Sequence, residues 1–72
     1  VKRIVISYVE ISETTGDIIP KKTWIFAHDG EVLTTIADLR ERGHVIRFES
    51  KTKFIFPSAI LSADVDMVWE HL

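Results

Sequence analysis

Seventy-two residues, nine Lys plus Arg, eleven Asp plus Glu and no Cys make up the chain. A chain this short buries only about 60% of its unfolded surface, and without Cys it has neither disulfides nor thiolate metal sites, so self-association is the favoured compensation. A formal charge of −2 is not the strongly basic balance of a domain devoted to nucleic acid.

Lys2 to Ile11 is rich in β-branched residues, with Tyr8 among them, and this is strand composition. Within Glu13-Thr14-Thr15-Gly16-Asp17, Gly16 is the residue free to take positive φ in a hairpin loop. Ile18 to Ala27 reads as the return strand, which Pro20 confines to a sheet edge or to pairing beyond that residue. Asp29 is placed to N-cap a helix from Gly30 to Arg42, along which Val32, Leu33, Ile36 and Leu39 recur at helical spacing. Gly43 occupies the C-terminal glycine position. His44 to Glu49 is a third strand, Ser50-Lys51-Thr52 a turn, and Lys53 to Phe56 a fourth strand ended by Pro57. Ser62 then caps a final helix, with Asp64 and Asp66 in its first turns and Val65, Val68, Trp69 and Leu72 as its apolar stripe.

The expected fold is therefore α+β, in the order ββαββα: a four-stranded, mainly antiparallel sheet with two helices packed on one face. One compact domain spans residues 1–72. Lys21-Lys22-Thr23-Trp24-Ile25-Phe26 and Lys51-Thr52-Lys53-Phe54-Ile55-Phe56 share a Lys-aromatic-Ile-Phe pattern, so 1–43 and 44–72 read as a candidate internal repeat.

Loop placement decides which side chains share a face. A Thr14-Thr15-Gly16 loop sets Ile6 opposite Trp24 and Ile4 opposite Phe26. A Ser50-Lys51-Thr52 loop sets Phe48 opposite Phe54 and Ile46 opposite Phe56. These aromatics then fill the helix-covered layer. The other face keeps Val5, Ile25, Val45 and Ile55, fringed by Arg47, Glu49 and Lys53. An apolar patch with a charged fringe marks an interaction surface, so Val5, Ile25, Val45, Arg47, Lys53 and Ile55 form the candidate partner interface.

Catalytic groups are not visible. His28, His44 and His71 lack metal-site spacing, Asp64 and Asp66 suit a helix dipole, and neither a phosphate loop nor a nucleophile elbow occurs. No catalytic residue, cofactor or metal is expected. With no apolar run near about eighteen residues and no signal-peptide pattern, a cytoplasmic, non-membrane chain is expected. The expected function is that of a small, non-catalytic protein–protein interaction module or regulator, forming a homodimer or docking a larger partner through the open sheet face. The alternative is a nucleic-acid-binding regulator using Arg3, Lys21, Arg47, Lys51 and Lys53. Single-strand platforms need exposed aromatics, which this register buries and a one-residue slip would expose.

Overall fold

A computed structural model describes residues 1–66. Their order is β1 (Lys2–Ile11), β2 (Ile18–Ala27), a 3-10 turn (Asp29–Glu31), α1 (Val32–Arg42), β3 (His44–Phe48), β4 (Lys51–Ile55), a second 3-10 turn (Pro57–Ala59) and β5 (Ile60–Val65). One antiparallel sheet has the order β2-β1-β5, and β3 and β4 form a separate antiparallel ribbon. The α+β class and the antiparallel pairing agree with expectation. The count does not: the described residues hold five strands in two sheets and one α-helix, in place of four strands and two helices.

Among the described residues, β5 stands where the start of the second helix was expected, and period explains why. Leu61, Ala63 and Val65 alternate with Ser62, Asp64 and Asp66, the two-residue repeat of a strand with one face covered. The stretch from Ile60 thus extends the sheet along β1, and Ser62 caps nothing. Val68, Trp69 and Leu72 of the expected stripe lie outside the described residues, as does His71. Ser7 pairs with Ser62 but Tyr8 pairs with Ile60, so Leu61 is an extra, bulged residue and stays 66% exposed.

The first hairpin closes with an even loop. Ser12 donates its N–H to the Asp17 carbonyl at 2.8 Å, Gly16 donates to the Ser12 carbonyl at 2.8 Å, and Gly16 takes φ 76°. Four residues, Glu13 to Gly16, turn the chain instead of three. The pairing therefore shifts by one, setting Ile4 opposite Ile25, Val5 opposite Trp24 and Ile6 opposite Thr23. Because successive strand residues point to opposite faces, this single step reverses every side chain of β2 relative to expectation.

The core lies on one side of β1. Ile4, Ile6 and Tyr8 are buried there with Ala63, Ala27, Val32 and Leu39 of the neighbouring elements and Ile55 of the ribbon. Each fully buried aliphatic of this kind contributes about 1.5–3 kcal/mol of transfer free energy. On α1, Val32 and Leu39 are buried and Ile36 packs against them, the i, i+4, i+7 seam of an amphipathic helix. Leu33, expected on that seam, is 83% exposed. Asp29 begins the 3-10 turn and no side chain caps either helix start.

Ribbon register also differs from expectation. Glu49 and Ser50 form a two-residue turn with Glu49 at φ 53°, setting Val45 opposite Phe54 and Ile46 opposite Lys53. Positive φ at the first central position belongs to the primed turns that match strand twist. Lys53 consequently faces inward and not toward Glu49. Its ammonium contacts Glu10 Oε1 and lies 5.4 Å from the Tyr8 ring centre, while Lys21 reaches Glu10 Oε2 at 3.1 Å. One carboxylate thus joins β1, β2 and β4.

Gly43 ends α1 as the sequence implies, donating its N–H to the Leu39 carbonyl at 3.0 Å with φ 80°. A Cβ here would sit 2.2 Å from the Ile55 carbonyl oxygen, whereas one at Gly30 would meet nothing within 4 Å. A backbone at φ 80°, ψ −163° lies in a region that essentially only glycine occupies and costs another residue roughly 1–3 kcal/mol, and the overlap adds to it. Gly43→Ala is expected to destabilise the fold by at least about 2 kcal/mol in urea unfolding, and Gly30→Ala by much less. Equal midpoints for the two variants would contradict this close approach of helix end and ribbon.

Candidate docking surface

The side of the three-stranded sheet opposite the core carries the odd-numbered residues of β1. Among the described residues, α1 and the ribbon both pack on the other side, against Ile4, Ile6 and Tyr8. Across the open side the register creates rows: Phe26 opposite Arg3, Trp24 opposite Val5 with Asp64 beyond, and Lys22 opposite Ser7 with Ser62 beyond. Trp24 is 56% exposed and Phe26 54%. Large aromatics in this state are uncommon on a small domain and are the side chains that anchor partners.

Charge on this face is mixed and partly ordered. Arg3 Nε donates to Asp66 Oδ2 at 2.8 Å, a second guanidinium nitrogen also contacts that oxygen, and the guanidinium carbon lies 5.5 Å from the Trp24 ring centre. An arginine held by a carboxylate and stacked on an indole is pre-organised, so less side-chain entropy is lost when a partner covers it. Lys22 stands exposed on β2 and Asp64 on β5, so the β2 margin has a cation where the β5 margin has an anion.

A second concavity opens between the end of β1, β4 and the Pro57–Ala59 turn. It is an open cleft of about 730 Å³ whose lining includes Tyr8, Glu10, Lys53, Phe54 and Phe56. Two carboxylates line it: Glu10, which is paired with Lys53 and Lys21, and Glu13, which is exposed. Among the described residues no group of three or more His, Cys, Asp or Glu side chains is placed to hold a metal ion. No helix among them is long and apolar enough to cross a membrane.

The six residues expected at one interface are distributed over three surfaces. Val5 lies on the open face, half-buried between Trp24 and Asp64. Ile25 points to the covered side and packs on the core, because the four-residue loop inverts β2. Ile55 is 3% exposed within the core, because the two-residue turn inverts β4 relative to β3. Lys53 shares that inner side with it. Val45 and Arg47 lie on the outer side of the ribbon, where Val45 is 42% exposed opposite Phe54. Trp24, Phe26, Leu61 and Asp64 were missed. The alternation from Leu61 to Asp66 was the available signal for β5, but nothing local reveals the hairpin parity that exposes Trp24.

Comparison finds no protein family, no curated protein and no solved structure that matches this chain. The functional reading therefore stands on the chemistry of its surfaces.

His44, half-buried on the inner side of the ribbon opposite Ile55, has its pKa lowered from the ordinary 6.5 by desolvation. The unfolded chain therefore takes up the imidazole proton first as pH falls. The contribution of neutral His44 is complete above 6.5 and is lost as pH falls through the depressed folded-state value. The urea midpoint of the parent should drop between about pH 7.5 and about pH 5.5, and His44→Gln should flatten that drop. A drop of equal size in His44→Gln would remove His44 as its cause.

Proposed function

We propose that this chain is a non-catalytic docking module that holds a protein partner on the open face of its three-stranded sheet. Trp24 and Phe26 are the anchors, and Val5 and Leu61 supply the apolar surround. The observation that carries this reading is the exposure of Trp24 and Phe26, 56% and 54%, side by side on one face with Arg3 stacked on the indole. Aromatic and Arg side chains dominate binding energetics because they bury much area at low entropy cost. The surface suits protein better than nucleic acid because it carries both signs of charge, and the exposed carboxylate of Asp64 would repel a phosphate backbone. Self-association and engagement of a larger protein are both compatible with such a face.

The nucleic-acid reading keeps one specific argument. The one-residue shift in β2 exposes aromatics on a sheet, which is how single-strand platforms stack bases. Against it, the guanidinium of Arg3 is committed to Asp66, and the net charge of −2 supplies no long-range attraction.

Trp24→Ser combined with Phe26→Ser should leave circular dichroism unchanged and stability within about 1 kcal/mol of the parent, since both rings are largely exposed. The same pair should weaken retention of protein from a nuclease-treated cell extract by roughly 30-fold or more, the loss of about 2 kcal/mol expected for an anchor. Undiminished retention by the double variant would refute the open face as the docking site. Retention that nuclease treatment abolishes, or oligonucleotide binding that weakens steeply with salt, would assign the surface to nucleic acid.

A further inference from the structure

We infer that β2 pairs edge to edge with β2 of a second copy, antiparallel and centred on Ile25, giving a dimer with one continuous six-stranded sheet. This concerns the strand's backbone edge and does not require the open face to hold a partner. In the order β2-β1-β5, β2 has β1 on one side and no described strand on the other. It is ten residues long, and a long edge strand is a template for pairing unless it is guarded.

The guards are unevenly placed. Pro20, Lys21 and Lys22, the residue types that blunt an edge, all fall in the first half of the strand. Thr23 to Ala27 carries none of them. A two-fold axis perpendicular to the sheet keeps both open faces on one side only if the pairing centres on a residue and not between two residues. Within the unguarded half, centring on Ile25 sets Trp24 opposite Phe26 of the second copy, twice, and Thr23 opposite Ala27. Aromatic pairs directly opposed across an antiparallel ladder are favourable.

The same centre places Lys21 and Lys22 beyond the Ala27 end of the second copy's strand, so that neither lysine lies opposite a strand residue, and it keeps Pro20 of each copy off the new ladder. Centring on Thr23 would instead bring Pro20 opposite Phe26 and lysine opposite Trp24 and Ile25. The dimer thus joins two open faces into one platform with four aromatic rings at its middle.

The absence of cysteine makes a clean test available. Opposed residues of an antiparallel pair have Cα atoms about 4.5 or 5.5 Å apart, within the disulfide range of about 4.4–6.8 Å. Ile25→Cys should form a disulfide-linked dimer under mild oxidation at least ~10-fold faster than Leu33→Cys, whose site on α1 is remote from the edge. Mixing Trp24→Cys with Phe26→Cys protein should give the mixed disulfide in excess over either homodimer. Sedimentation of the parent should show a dimer. Equal rates for the two single cysteines, a statistical mixture of disulfides, or a parent that sediments as monomer throughout would overturn edge pairing. If the monomeric parent still retained protein through Trp24 and Phe26, the docking reading would survive alone.

Discussion

The parity of the first hairpin loop governs the molecule. Four residues between Ser12 and Asp17, closed by Gly16 in the left-handed conformation, set Val5 opposite Trp24. From that pairing follow the aliphatic core side with Ile4, Ile6 and Ile25 and the aromatic open side with Trp24 and Phe26. A three-residue loop would exchange them. Side-chain period along a strand is two, so there is no intermediate arrangement.

The covered side is then held by contacts remote in sequence. Ile55 enters the core from the ribbon, and Lys53 reaches Glu10 beside the Tyr8 ring. The partners of this cluster are partly exposed, so screening limits the net worth of each pair, and its larger effect is to fix where the ribbon sits. With α1 and the ribbon both committed to one side, no described element remains for the other. That shortage of cover among the described residues leaves Trp24 and Phe26 exposed, and the docking proposal rests on it.

Local features were legible in the sequence. β1, β2, α1 and the Gly43 stop depend on composition, helical spacing and a single positive-φ position, and each lies close to where the residues imply. Facing was not legible. A three-residue Thr14-Thr15-Gly16 loop would bury Trp24 and Phe26, yet the loop has four residues, which turns both rings outward and stacks the indole on Arg3. The ribbon misled in the same way, because Glu49 adopts positive φ without being glycine and shortens the turn by one residue. Apparent helical spacing beyond Val65 concealed the strand alternation between Leu61 and Asp66. Of the expected interface, Val5 alone lies on the face where Trp24 and Phe26 are found.

Cross-strand nuclear Overhauser contacts test the hairpin register most directly. Close α-proton pairs should be drawn from Ile4–Ile25, Val5–Trp24 and Ile6–Thr23, alternating along the ladder as antiparallel geometry requires. Contacts joining Val5 to Ile25 or Ile6 to Trp24 would mean that the aromatics face the core, and the docking surface described above would not exist.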